Sequence, residues 1–538
     1  MPFLKKNKYF LTCCALLVAL VFVSVYEPQS WIPTPNYPNI TTSERTYDLK
    51  EYPQLPNEII GLFNYFRDIL FSQGVNEFAN MEPYIGGLPI AFGPGGDAGL
   101  RYVLAFSAYT IAEMMATTPG YRDPSYYQNT SDWMIQKMEA PKVREYWNSS
   151  PVARYDDKTY YQYTIDHYGV PAGDGYGLNY TNIMYRAHWI LMQALYQYLF
   201  NDTKYHSNLK FQIDALYDEM TNASNPTHFI GYGVPCEPVE IFSQCQTPQS
   251  LAFKMYDSAL NTTPTNYYSA IEKWLEWSLE NMTNADGLFY NGINVTKFEN
   301  GDPNFVLYND SGYTQGWTIA FINAYNQTIA QNLYPKFKDV YVKDIYPGII
   351  GDIAYVTEYA YADPFSTDIM EFAWSIVSTG FGIMAAREMG DQVTLDKFLN
   401  WANHLFMPKW EGNTYSYSAP GFEGMEFVIN MILHWGSQGP WVTLNNFTQR
   451  KSLSFWTQPY IVDVSDVENI FINQAYYDET NSAFILTCST GNPGTITLTN
   501  ALGGSVYSAQ NSGFSTSAVG NNITINVNRG SFNFVVEF

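Results

Sequence analysis

The chain has 538 residues, 51 acidic against 28 basic, for a formal charge of -23. That charge repels phosphate backbones and anionic headgroups and excludes nucleic acid as a partner, while the length holds one large core or two to three smaller ones. The 45 Tyr, 34 Phe and 13 Trp suit broad helix packing or an aromatic-lined cavity.

Lys5, Lys6 and Lys8 precede an apolar run from Tyr9 to Val25. Residues 1–30 therefore read as a signal peptide or a retained type II signal anchor, with membrane anchoring through residues 9–25. No small-residue cleavage site follows the run, which favours the anchor. Either reading puts the rest of the chain in the secretory pathway, lumenal or extracellular. Asn-x-Ser/Thr triplets recur from Asn39 to Asn522 and predict N-linked glycans.

Residues 31–56 are rich in Pro, Asn and Thr and form a linker or surface arm. Residues 57–450 carry helical periodicity. Apolar spacing predicts helices at 58–72, 97–116, 125–139, 181–200, 209–221, 266–281, 314–331, 367–389, 395–406 and 424–435. Inner helices, apolar on nearly all sides, alternate with more polar ones, a pattern suited to a ring of helix pairs, an (α/α)6 barrel; a superhelical stack of hairpins is the rival. Residues 451–538 change to short β-branched runs such as Asn522–Asn528 and form a small C-terminal β-sandwich-like domain.

Only five cysteines occur, and Cys236 and Cys245 are the only close pair outside the N-terminal run. In an oxidising lumen they read as a disulfide; on a loop leading into a helix, with Glu237 and Glu240 beside the first, they read equally as a thiol acid or base. The spacing is wrong for structural zinc. His188 sits on a helix face with Met184, Leu191 and Leu195, so its imidazole points into an apolar interior, as a core residue or a functional one. Asp97 is either the N-cap of its helix or a carboxylate at a cavity mouth, with Tyr102 one and a half turns later.

The run GVPCEPVEIFSQCQ resembles the signature of the linalool dehydratase/isomerase family, with an aromatic six positions after the first cysteine and a second cysteine nine after it. NIMYRAHWILMQALYQY and GGDAGLRYVLAFSAY are similar to that family's histidine helix and first inner helix, in the same order. The resemblance implies an (α/α)6 barrel that uses neither cofactor nor metal to dehydrate linalool to myrcene and to isomerise linalool and geraniol. It carries the active-site thiols onto Cys236 and Cys245, the histidine onto His188, the acid and tyrosine onto Asp97 and Tyr102, and a pocket methionine onto Met184. Phe242 and Tyr313 are expected to line the substrate, a small apolar alcohol. In the family a neighbouring subunit supplies the acid and tyrosine, so a homo-oligomer is expected. Val239 and Gln246 replace polar amide positions of the family's motif.

Two other readings stay open. A glycan-active barrel would use paired carboxylates among Asp363, Asp368, Glu371, Glu423 and Glu426. A non-catalytic cell-surface glycoprotein would keep the barrel as a scaffold, with Cys236–Cys245 as a plain disulfide.

Overall fold

A computed structural model describes residues 30–538 apart from 80, 82–83, 86–87, 90–96, 150, 153–154, 171–177, 262, 264, 301–308, 346–351, 361–368 and 418–440. The chain is mainly helical, 48% helix, with a C-terminal strand region. The helices that matter here are α1 (Asn57–Phe71), α2 (Asp97–Thr117), α3 (Asn129–Met138), α4 (Ile183–Phe200), α5 (His206–Thr221) and α6 (Gln246–Met255). They continue with α7 (Tyr268–Asn281), α8 (Gly312–Tyr325), α9 (Gln327–Tyr341), α10 (Ile369–Glu388) and α11 (Gln392–Phe406).

Two kinds of helix alternate, and their sequences explain why. In α8 every residue but Tyr313 is buried, and α2 and α4 are covered along almost their whole length. The following helices show one buried stripe: α9 buries Ala330, Leu333, Tyr334, Phe337 and Tyr341, and α11 buries Leu395, Phe398, Ala402 and Phe406. That three- and four-residue spacing puts an apolar seam against an inner helix and leaves the opposite face to water. The inner helices α2, α4, α6, α8 and α10 touch in sequence, and each packs on the helix that follows it.

Inner helices far apart in sequence also meet. Phe106 of α2 and Phe381 of α10 have ring centroids 5.4 Å apart, and Arg387 of α10 pairs with Glu113 of α2 at 2.6 Å. The single helix expected at 314–331 is broken at Asn326. Its side chain accepts the Ile329 N–H at 3.3 Å and starts α9, a capping role that an apolar-spacing argument does not see.

The C-terminal region holds two four-stranded antiparallel sheets. Its strands are β3 (Tyr460–Val464), β4 (Ile470–Asp478), β5 (Ala483–Thr490), β6 (Gly494–Thr499), β7 (Ser505–Ser508), β8 (Phe514–Val519), β9 (Asn522–Val527) and β10 (Gly530–Glu537), numbered after two short strands, β1 (Glu240–Phe242) and β2 (Gly292–Asn294), in the helical region. The orders are β3-β6-β9-β8 and β4-β5-β10-β7. All of β5 is buried, because the N-terminal arm covers its outer side with Ile40, Tyr47 and Leu49 packed on Ala483, Ile485 and Val535. The 31–56 segment is thus an arm fixed to the sandwich, held by Leu55 N–H to the Asn473 carbonyl at 2.8 Å.

The sandwich docks just beyond α2. Gly120 donates to the Ala475 carbonyl at 2.8 Å and accepts from Ile461 N–H at 2.7 Å. A Cβ on Gly120 would lie 2.5 Å from the Phe484 ring, so the close approach requires glycine.

Among the described residues no helix is long and apolar enough to cross a membrane. The anchor expected at residues 9–25 and the helix expected at 424–435 lie outside the described residues.

Candidate active site

The thiol loop is a tight turn. Cys236 N–H and Glu237 N–H both reach the Glu240 carbonyl, at 2.8 and 3.4 Å, and Glu240 N–H returns to the Glu237 carbonyl at 3.1 Å. The chain then pairs β1 with β2, placing Phe242 opposite Gly292, where its ring covers the glycine. Ser243 extends the pairing through Asn291, and Cys245 takes the N-cap position of α6.

This route brings the two sulfurs together. Cys236 and Cys245 lie near enough for each thiol to act on the other's proton, with the Phe242 backbone amide beside Cys236. Both are free, buried thiols, so the disulfide allowed by the compartment argument is not formed. Burial, then the neighbouring Cys245 thiol and its charge, push the Cys236 thiol well above its usual range. At neutral pH it holds its proton and serves as the donor of the pair.

His188 lies on α4, whose entry is strained. Thr181 and Asn182 both have φ of 51°, a left-handed conformation that a β-branched threonine rarely adopts. The surroundings enforce it: Thr181 N–H donates to Glu219 at 2.8 Å, Tyr146 donates to Asn182, and the buried Arg186 is paired with Glu219. Ile183 N–H donates to the Pro235 carbonyl at 3.2 Å, which fastens the start of α4 to the residue before Cys236.

From α4, His188 Nδ1 meets Tyr109 Oη at 2.7 Å, while Nε2 has no partner. With Tyr109 donating, the ring proton lies on Nε2. Burial, then the charge of Arg101, push the imidazole well below its ordinary value, so it is neutral. His188 has no direct hydrogen bond to either thiol among the described contacts, and its neighbours are rings. Tyr102, Phe106 and Trp317 have centroids 5.3, 5.5 and 5.6 Å from it.

Tyr102 stands between these groups. Its hydroxyl is 4.0 Å from Met184 Sδ and accepts from Arg101 Nη2 at 3.2 Å. Burial raises its phenol, Arg101 lowers it in part, and the charges of Cys245 and Cys236 raise it further. Tyr313, at the start of α8, accepts from Gln244 Nε2 at 3.3 Å and is electrostatically coupled to Cys245 and Tyr102. Tyr102 and the two thiols act on one another electrostatically within one chain.

Asp97 begins α2, but its side chain lies outside the described residues. The alternative carboxylates Asp363, Asp368, Glu423 and Glu426 lie outside them too, as does the side chain of Glu371. Among the described residues no cluster of three or more His, Cys, Asp or Glu side chains could hold a metal ion.

Arg101 and Glu358 escape a sequence reading, and Gln246 was given no role by it. Arg101 looks like a helix-surface residue but is buried against Tyr102 and Tyr146. Gln246 holds both backbone groups of Val234 and donates weakly to Cys236 at 3.9 Å. Glu358 accepts from Ser378 at 2.7 Å and is electrostatically coupled to Tyr313. Only Gln246, within the thiol motif, stood where a sequence signal pointed.

Two buried thiols, a neutral imidazole and two phenols thus lie among the rings of Phe106 and Trp317. The family model for linalool dehydratase/isomerase matches residues 101–420, more than half of the chain, and the chain belongs to that family. Similar solved structures include a family 76 glycoside hydrolase from a bovine Bacteroides thetaiotaomicron strain, at 11% identity, TM-score 0.41, covering 70% of this chain and 77% of that one. Others are an unsaturated glucuronyl hydrolase from Bacillus sp. GL1, at 11% identity, TM-score 0.40, covering 72% and 97%, and endoglucanase CelQ from Clostridium thermocellum, at 8%, 0.35, covering 89% and 92%. At these scores the structural matches carry no functional argument.

Proposed function

We propose that the chain is a cofactor-independent lyase/isomerase that removes or relocates the hydroxyl of a small, largely apolar allylic alcohol, within an (α/α)6 barrel. Five consecutive inner–outer helix pairs support the barrel. The observation that carries the chemistry is that Cys236 and Cys245 are both free and buried and act electrostatically on each other and on Tyr102 and Tyr313.

Cys245 protonates the hydroxyl, the C–O bond breaks and water leaves, giving an allylic cation and a Cys245 thiolate. Cys236, held protonated by burial, donates to that thiolate, and the amide end of α6 favours its negative charge. The rings of Phe106, Trp317 and Phe381, packed at 5.1 Å, offer π-faces to the cation. The thiolate recovers its proton from the adjacent carbon, giving a diene, or from a water that adds to the other allylic carbon, giving the isomer. His188 Nε2–H orients the hydroxyl.

The reading extends to a lumenal or extracellular location, as a glycoprotein, membrane-anchored or secreted, and to a homo-oligomer. None of the thirteen Asn-x-Ser/Thr asparagines is buried, which supports the glycan part. Cys236→Ala and His188→Ala are each expected to lower kcat by about 100-fold or more with the thermal melt retained. Turnover unchanged in both removes the mechanism.

A further inference from the structure

The scheme above gives Arg101 no work, yet it lies among the site's groups. Its residue is 1% exposed. The guanidinium carbon lies 4.4 Å from the ring centroids of both Tyr102 and Tyr146. Nη2 reaches Tyr102 Oη at 3.2 Å and Met184 Sδ at 3.1 Å, both uncharged, while Nε and Nη1 have no acceptor.

The other two fully buried arginines among the described residues are treated differently. Arg186 is paired with Glu219, and Arg387 with Glu113 and Glu388. Among the described residues no carboxylate forms an ion pair with Arg101. Burying an uncompensated cation is expensive, and each vacant N–H of a buried guanidinium is a strong charge-assisted donor to an oxyanion. The proposed reaction sharpens the point. An allylic cation forming near an uncompensated guanidinium is opposed by like charge, and an anion seated on the guanidinium relieves that opposition.

We propose that Arg101 is a specificity-determining residue that binds an oxyanion on the substrate, so that the molecule processed here is an amphipathic anion, an apolar allylic alcohol ending in a carboxylate or a phosphate. The cation argument rests on the proposed reaction, whereas the vacant Nε and Nη1 donors do not depend on it. The oxyanion accepts from Nη1, with Nε as a second donor on the opposite edge of the guanidinium, and the alkenyl chain lies along the Phe106 and Trp317 rings.

Binding separates the two claims, because it requires no turnover. Isothermal titration of the full chain with octanoate, octyl phosphate and octan-1-ol is expected to show at least one anion binding about ten-fold tighter than the alcohol, or more. The arm that wins distinguishes carboxylate from phosphate. Arg101→Gln is expected to abolish the preference while octan-1-ol affinity stays within about two-fold, and Arg101→Lys to retain part of it, which separates lost charge from lost fold. Octan-1-ol binding as tightly as both anions would mean that the guanidinium is already neutralised within the chain, and would overturn the proposal. An anion preference that persists in a folded Arg101→Gln would overturn it as well. An Arg101-dependent anion preference in a protein that converts no alcohol would leave this proposal standing and defeat the reaction instead.

Discussion

Gln246 holds Val234 from both sides: its Oε1 accepts the Val234 N–H at 3.0 Å and its Nε2 donates to the Val234 carbonyl at 2.7 Å. The first residue of α6 thereby clamps the strand leading to Cys236, so that the helix bearing Cys245 and the turn bearing Cys236 move as one. Gln246→Leu leaves two buried backbone groups unpaired, each costing roughly 1–3 kcal/mol. The urea midpoint should fall accordingly, and Cys236 should react faster with iodoacetamide than in the parent chain. An unchanged alkylation rate would show that the clamp does not set the thiol loop.

The entry to α4 depends on a buried ion pair. Arg186 is tied to Glu219, to Gln212 at 2.9 Å and to the Thr181 carbonyl at 3.0 Å, and these bonds hold two residues in left-handed backbone. Arg186→Leu leaves Glu219 as an uncompensated buried carboxylate and is expected to destabilise the chain by about 3–5 kcal/mol. Equilibrium denaturation measures it; a loss below about 1 kcal/mol would show that the α4 entry does not depend on the pair.

Glu358 sets a pH dependence. Burial pushes its carboxyl up to about 7, against bonds from Ser378, Ser311 and the Tyr313 backbone that lower it. The folded value lies above the unfolded one, so between pH about 4.5 and 7 the native state holds more protons than the unfolded state. Stability from this group therefore falls as pH rises through that window, by at most roughly 3 kcal/mol. His188, lowered by burial, works oppositely below pH about 6.5, so the readout is the difference between parent and Glu358→Gln. The variant should gain stability relative to the parent as pH rises from 5 to 7.5. A parallel pH profile would contradict the assignment.

The thiol pair predicts a redox response. The two thiols are free and near enough to act on each other's proton, so treatment with diamide should join Cys236 to Cys245, with loss of two hydrogens by peptide mass mapping, and should stop turnover. Dithiothreitol should restore it. Full turnover with the bridge formed would exclude free thiols from the mechanism.

How much could be read in advance differs by element. The inner helices α2 and α4 were legible because they are apolar on nearly all sides: the 97–116 and 181–200 expectations fall within two residues of them, whereas α6, with Gln246, Thr247, Gln249 and Ser250 buried, was given no range. Of the eight C-terminal strands, β5, β6, β9 and β10 carried a β-branched signal. β7 and β8 are short or exposed, and β3 and β4 are ordered by Gly120 and Leu55, contacts far away in sequence. In the site, the spacing of the thiols left a disulfide and a functional pair equally open, and only the resemblance of the whole GVPCEPVEIFSQCQ run to the family signature pointed to a site. Arg101 gave no signal, because an arginine next to a tyrosine on a helix is ordinarily solvated, and only packing against Tyr146 shows otherwise. Glu358 gave no signal either, since its environment is assembled from Ser378 and the start of α8.

The most direct test of the central claim is product formation. Purified full-length protein, without added cofactor or metal, is incubated with linalool and with tertiary allylic alcohols bearing a terminal carboxylate or phosphate, and the dienes and isomeric alcohols are quantified by gas chromatography, with the anionic products derivatised. Formation of diene or isomer from at least one of them by the parent chain, lost in Cys236→Ala, is the predicted result. No product from any of them, or the same yield from Cys236→Ala, would contradict the assignment.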